Sequence, residues 1–365
     1  MRILNYYNDW KYSIDNIFLH KDFGLISYTF GKVFNRQVDY LVSNNSRNNI
    51  SHFFDHTVYV SKKIFKPKNF LIDLLNLINP IFFLIKRKNQ YSHLVIINFV
   101  IVCDYAFVYF FKKLNKKSSV ILKLDTNLSI IENRFNNRNN SFFKKIEYYY
   151  FLKLLKSVDV VLYENEDCEH YLKNNTDLGQ IISWVPNGVS YNLIKSHYNL
   201  TWKHINERAN NVLIIGNFNI PKKNIKWLTE NYCQIFSELK NWNFYFICGR
   251  NQDRKYENIY FIDNLSKNDI YSLFSNSKVL LNVSTNEGFP ISFAEGIFFG
   301  LNLYSTNVGG AGYYKKIHTG SFISDYPRFV VEKLIDDIKE NRIVFSESKN
   351  FYLDISWEKI LKDIL

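Results

Sequence analysis

The sequence predicts an α/β protein built from two doubly wound parallel-sheet domains. Three observations predict it. Short apolar runs alternate with segments of helical period through the second half of the 365 residues. A noisier version of the same alternation fills the first half. Between them, WVPNGVSYNL (184–193) gathers Pro, Asn and Gly, as a linker does. The chain is longer than one ordinary hydrophobic core needs. Its 47% hydrophobic and 18% aromatic content excludes a disordered polypeptide.

In the first half the strand candidates are MRILNYY (1–7), VDYLVSN (38–44), HLVIINF (93–99), SVILKLD (119–125) and DVVLYEN (159–165), with a strong helix at 142–157 before the last. Residues 93–111 are long enough to span a bilayer, but Asn98 and Asp104 interrupt them. They read as a buried strand, a loop and a helix. Residues 69–85 read as a helix broken near Pro80. Its basic-aromatic flanks, KKIFKPK and KRK, suit either core packing or a peripheral contact with anionic membrane.

The second half runs NVLIIGNF (211–218), a helix over 224–240, NFYFICGR (243–250), NIYFIDNL (258–265), a helix over 266–277, KVLLNVS (278–284), a helix from about Pro290, LNLYSTN (301–307) and further helices. Ser266 with Asp269 three residues on forms an N-cap signal.

The net charge of +12 is spread over scattered lysines, without an arginine-rich arm, a zinc finger or an RNA-binding signature. Nucleic acid is not an expected partner. Cys103, Cys168, Cys233 and Cys248 lie far apart with no metal-ligand spacing, as in a reduced intracellular protein. The N-terminus shows no signal-peptide pattern and reads as a first strand, so a cytoplasmic location is expected, with peripheral binding to the inner membrane face allowed.

Ligands of such sheets bind at the carboxyl ends of the strands. IGNFNIPKKN (215–224), CGR (248–250), STNEGFP (284–290) and STNVGGAG (305–312) all fall on that rim of the second domain. Within NEGFPISFAEG (286–296), two carboxylates flank an apolar stretch, and a carboxylate there needs a partner or a task. Pro290 suits the start of a helix and Gly300 its end. Glu287 then lies on the preceding loop and Glu295 about one turn inside. The amides from Gly288 to Ser292, Pro290 apart, would hold an anion such as a phosphate. The carboxylates would accept from sugar hydroxyls, and Lys222 or Lys223 would balance a diphosphate.

At these residues the sequence resembles the family 4 (group 1) glycosyltransferases, which are retaining enzymes of the GT-B fold, two Rossmann-like domains facing a cleft. Glu287 and Glu295 match the family's Glu-x7-Glu signature, VPNGVS (185–190) its hinge, residues 265–310 its wider pattern and ISWEKILKDIL (355–365) its final helix. Over residues 1–158 the resemblance is architectural only. It implies an N-terminal acceptor-side domain over 1–188, a C-terminal nucleotide-sugar domain over 189–350, and a helix over 351–365 that packs back on the first.

The implied reaction moves a hexose-type sugar from a nucleotide diphosphate sugar, UDP or GDP foremost, to a saccharide or lipid-linked saccharide in surface glycan synthesis. No metal or other cofactor is implied. By resemblance Glu295 holds the ribose and Glu287 lies beside the donor sugar. The backbone of Gly288, Phe289 and Ile291, with Pro290 opening the helix, holds hydroxyls or phosphate. Gly216, Asn217, Lys223, Arg250, Gly309 and Gly310 complete the donor site, and Lys222 and Asp125 are the further catalytic candidates. Asn217 stands where the family often has arginine, and Asp125 where it often has histidine. A non-catalytic subunit of a glycan-assembly complex and a nucleotide-sugar epimerase of the same fold are the alternatives.

Overall fold

A computed structural model describes residues 1–8, 22–44, 52–62, 74–97, 101–124, 128–136, 141–164, 166–176, 181–198, 203–249, 256–263, 265–318, 320–343 and 356–364. Packing divides the chain into two compact units, Met1–Pro186 with Leu361–Leu365, and Asn187–Ile360.

Among the described residues, the first unit holds an eight-stranded sheet. Its strands are β1 (Arg2–Asn8), β2 (Val38–Asn44), β3 (His52–Phe53), β4 (His56–Lys62), β5 (Tyr91–Ile97), β6 (Ser119–Leu124), β7 (Val160–Tyr163) and β8 (Ile181–Trp184). They lie in the order β3-β4-β2-β1-β5-β6-β7-β8, parallel except for the β3–β4 pair. The helices are α1 (Asp22–Val33), α2 (Ile78–Lys86), α3 (Ile101–Leu114), α4 (Leu128–Asn136), α5 (Phe142–Ser157) and α6 (Glu166–Asn175). Right-handed crossovers in one direction along the sheet put α2, α3 and α5 in one layer. Leu84, Phe107, Phe111, Phe151 and Leu154 pack there on Leu4, Tyr6, Leu94 and Leu122. Tyr6 stacks on Phe107 at 3.8 Å.

The 93–111 stretch resolves into β5 and α3, with 98–100 outside the described residues. Among the described residues, no helix is long and apolar enough to cross a membrane. The break expected near Pro80 falls just before it, at residues 76–77 between helical residues 74–75 and α2. Pro80 sits inside the first turn of α2, where its missing N–H has no intrahelical acceptor to lose. The chain turns earlier, around Leu77. Strands β3, β4 and β8 are not placed by the sequence reading. Two of them are very short, and β4 carries His and Thr among its apolar residues. All four cysteines are buried.

Among the described residues, the second unit has six parallel strands: β9 (Asn211–Ile215), β10 (Asn243–Ile247), β11 (Ile259–Ile262), β12 (Val279–Asn282), β13 (Asn302–Thr306) and β14 (Ser321–Ser324). The last is absent from the sequence reading. The order is β11-β10-β9-β12-β13-β14, so the winding reverses between β9 and β12. Around the sheet lie α7 (Tyr191–His197), α8 (Ile225–Glu238), α9 (Lys267–Asn276), α10 (Ile291–Phe298), α11 (Ala311–Ile317) and α12 (Pro327–Lys339), followed by α13 (Trp357–Ile364). Phe236 of α8 stacks on Phe244 of β10 at 4.3 Å. Glu358 of α13 accepts from Ser190 Oγ (2.9 Å) and from the amides of Tyr191 and Asn192, so its charge caps the N-terminus of α7.

A fully buried ion pair marks the first unit. Lys123 of β6 and Glu164, just after β7, form an ion pair at 0% and 1% side-chain exposure. Lys123→Met therefore leaves Glu164 without this cation in low dielectric. Thermal or urea denaturation should show a loss of about 3–5 kcal/mol, mostly recovered when Glu164→Leu is added.

His318 of the second unit is also buried, and burial pushes its imidazole down to about 4. The unfolded imidazole titrates near 6.5. The unfolded chain thus binds the proton first, and stability present above about pH 6.5 is lost as pH falls toward 4, by up to ~1.4 kcal/mol per pH unit. His318→Gln should remove that part of the slope in urea midpoints measured across the range.

Candidate functional site

The winding reversal between β9 and β12 brings two loops together at the carboxyl ends of those strands. The first, after β9, begins at Gly216. Asn217 is exposed and turns its Oδ1 back to the amide of Asn219 (2.8 Å), a local side-chain turn. A 3₁₀ turn over Pro221–Lys223 follows, closed by Asn224 at φ 58°. This turn sends the two lysines different ways. Lys222 is exposed, and its carbonyl accepts the Thr285 amide of the second loop (2.8 Å). Lys223 places its Nζ 2.6 Å from Glu287 Oε1. Of the two lysines, the one that meets the acidic site is Lys223.

The second loop, Ser284 to Pro290, leads into α10. Pro290 is the N-cap residue, one position before the helix, with φ −62°. Gly300 lies just past the helix at φ +74°, as a terminating glycine does. Glu287 is on the loop, its side chain 8% exposed. Glu295 is on the buried face of α10, its side chain 6% exposed. Its counter-charge is Lys267, from the first turn of α9, and Tyr271 Oη donates to the same carboxylate oxygen at 3.3 Å. Lys267 Nζ also lies 4.7 Å over the Tyr271 ring. The Tyr198 ring packs edge-on against Tyr271 at 4.8 Å. Burial, and then the Glu295 charge, raise both phenols, so each keeps its proton. Each carboxylate of the Glu-x7-Glu pair therefore has a lysine partner from another element.

A third loop, after β13, closes on the second. Thr306 Oγ1 donates to the Ser284 carbonyl at 2.5 Å. Gly309 has φ +52°, and a Cβ there would stand 2.2 Å from the Gly288 carbonyl oxygen. A Cβ on Gly310 would stand 1.9 Å from the Phe289 ring. These two glycines thus set how near the loop comes to Gly288 and Phe289. From the other side Asn187 Nδ2 donates to the Phe289 carbonyl at 2.6 Å, and Tyr314 Oη donates to the Asn187 carbonyl at 2.9 Å. Phe289 is buried, with its ring 5.1 Å from that of Tyr314. Ile291 and Ser292 open α10 beside it.

The structure thus gathers Gly216, Lys223, Glu287, Gly288, Phe289, Pro290, Ile291, Glu295, Gly309 and Gly310 at neighbouring strand ends of one sheet. Asn217 is on the same loop as Lys223 but is engaged locally. Asp125 and Arg250 lie outside the described residues, as does Asn98. Lys267, Tyr271 and Asn187 were not singled out from the sequence. The i, i+4 spacing of Lys267 and Tyr271 after the Ser266 cap carried a signal, since it puts a cation and a phenol on one helix face. Ser266 does cap α9, accepting from the Asp269 amide at 3.2 Å.

Comparison with known proteins places this geometry. Residues 209–338 match the family model of the group 1 glycosyl transferases. No curated protein sequence matches the chain. Among solved structures, a sucrose-phosphate synthase from Thermosynechococcus elongatus is 12% identical, with 100% of this chain and 97% of that one covered and a TM-score of 0.65. WaaG, a glycosyltransferase involved in lipopolysaccharide biosynthesis, is 13% identical, with coverage of 99% and 94% and a TM-score of 0.60. A UDP-N-acetylglucosamine 2-epimerase assignment from Listeria monocytogenes is 10% identical, with coverage of 94% and 88% and a TM-score of 0.54. With its two parallel-sheet α/β units, the chain has the GT-B fold.

The glycine contacts give a direct test. Gly309→Ala should cost about 1–2 kcal/mol for the left-handed backbone alone, and more from the Gly288 carbonyl, read as a lower melting temperature. Gly312 is the control. It lies in α11 with open space around its Cβ position, so Gly312→Ala should be neutral or stabilising by up to about 1 kcal/mol.

Proposed function

We propose that the protein is a retaining glycosyltransferase that moves a hexose-type sugar from a nucleotide diphosphate sugar to a saccharide or lipid-linked saccharide of a surface glycan. The observation that carries this reading is the pairing of Lys223 with Glu287 and of Lys267 with Glu295 within a segment matched to group 1 glycosyl transferases. The GT-B fold is shared by transferases and an epimerase, so the fold alone does not select the reaction. The domain match and the names of the transferase neighbours favour transfer.

The proposed chemistry takes its donor roles from the family resemblance and fits them to the observed lysine partners. Glu295 accepts hydrogen bonds from the ribose hydroxyls, held in place by Lys267 and Tyr271. Glu287 sits beside the donor sugar. On donor entry Lys223 is shared between Glu287 and the diphosphate, whose charge grows as the sugar leaves. Phe289, Ile291 and Ser292 amides at the start of α10 assist that anion. The acceptor hydroxyl oxygen bonds to the anomeric carbon on the face from which the diphosphate departs. The carbon–oxygen bond to phosphate breaks, and the hydroxyl proton passes to the departing phosphate oxygen. UDP and GDP are the foremost donor bases, no metal is required, and the work is done in the cytoplasm.

The test is thermal stabilisation by UDP-, GDP-, ADP- and CMP-sugars, with and without a divalent metal. A donor at 100 times its dissociation constant adds about 2.7 kcal/mol. One nucleotide should stabilise the native protein without metal, and Glu295→Ala should lose the shift. Lys223→Ala should lower the rate of nucleoside diphosphate release more than Lys222→Ala. No shift with any nucleotide sugar would overturn the reading. A shift with no sugar transfer or hydrolysis would instead favour a non-catalytic subunit.

A further inference from the structure

The outer surface of the first unit's helical layer has a composition that sugar transfer does not use. α2, α3 and α5 pack side by side on one face of the sheet, and their inward residues are buried. Their outward residues include large apolar side chains standing in solvent. Phe142 and Phe143 are 72% and 74% exposed at the start of α5. Tyr149 of α5 and Tyr109 of α3 are also exposed, as are Ile78, Phe82 and Ile85 of α2, which recur at helical spacing. One exposed aromatic is ordinary on a soluble protein. A set of them on three adjoining helices marks an interaction surface.

Charge identifies the partner. Lys153 Nζ lies 4.5 Å from the Tyr149 ring centroid and 5.9 Å from that of Tyr105, while Tyr105 of α3 packs on Tyr150 of α5 at 5.5 Å. Lys113 Nζ lies 6.0 Å over Tyr109. Lysines and rings thus interleave across the α3–α5 seam. The described acids of α3 and α5 and their ends are buried or paired: Asp159, just past α5, holds Lys112 at 2.9 Å. Asp104 is buried, and Glu147 is engaged by Lys144 at 3.1 Å and Arg134 at 3.8 Å. Lysine suits this arrangement, because its long stem lies along apolar surface while its head reaches outward.

We infer that this face of α2, α3 and α5 docks on an anionic lipid bilayer. The rings seat at the boundary between headgroups and acyl chains, and the lysines lie against lipid phosphates. Neither group alone holds firmly; apolar burial and surface charge add. The inference stands on the first unit alone and does not rest on the transferase reading. From sequence, residues 62–88 suit either core packing or a membrane contact; the aromatic–lysine contacts lie on α3 and α5.

The test is co-sedimentation of the full chain with phosphatidylcholine vesicles and with vesicles containing phosphatidylglycerol. The protein should sediment with the second and much less with the first, and added salt should release it. Lys145→Glu with Lys153→Glu should reduce partitioning by about tenfold or more, since each basic residue contributes about a factor of five. Phe142→Ser with Phe143→Ser should also reduce it. Both variants replace exposed side chains, so their melting temperatures and any donor-induced shift should equal those of the native protein. No sedimentation with phosphatidylglycerol vesicles, equal binding to both vesicle types, or undiminished binding by the charge-reversed variant would overturn the inference.

Discussion

A carboxylate that gives up its water must find a counter-charge, and Glu287 and Glu295 find theirs on different elements. Lys223 arrives from the loop after β9 and Lys267 from the first turn of α9. The arrangement depends on strand order. With β12 placed beside β9, the loops carrying Glu287 and Lys223 leave adjacent strand ends in the same direction. Unpaired, two carboxylates around an apolar segment would oppose the burial of α10. Paired, they keep lone pairs for further donors.

The loops are held by contacts that require particular residues rather than general polarity. The Lys222 carbonyl takes the Thr285 amide, and the Ser284 carbonyl takes the Thr306 hydroxyl. Gly309 and Gly310 let the third loop approach Gly288 and Phe289 closer than any Cβ would allow. Asn187 fixes the Phe289 carbonyl from another direction. The apolar residues between the two glutamates therefore serve as packing, with Phe289 wedged against Tyr314 and Gly310. A site of this kind is positioned by backbone and ring contacts before any ligand arrives, so binding costs less ordering.

The first unit presents a different balance. Its inner strands are apolar on both faces, as helix-covered parallel strands must be. Some of its buried charges are paired, as Lys123 is with Glu164 and Asp39 with Arg2, and Tyr91 donates to Asp39 as well. Its helical layer is apolar outward as well as inward. The aromatic residues that composition alone counts as core material are thus divided between a packed interior and a solvent-facing surface interleaved with lysine.

The sequence by itself determined the parallel α/β class, most strands of both units, the α5 and α9 boundaries to within a residue, and the helix that begins just after Pro290. Those features are local: apolar periodicity, a Ser cap, a proline before a helix and a glycine after it act within a few residues. Tertiary structure alone decided the rest. Lys222 and Lys223 are adjacent in sequence and equal in chemistry, and only the turn closed by Asn224 sends one of them to Glu287. Lys267 and Asn187 become part of the site because strand order and loop packing bring them to Glu295 and Phe289 from 28 and 102 residues away. The edge strands β3, β8 and β14 are too short to declare themselves by period, and pairing with a neighbour defines them. Whether an aromatic side chain lies in the core or on the outer face depends on which side of its helix meets the sheet, and the sheet is assembled from segments distant in the chain.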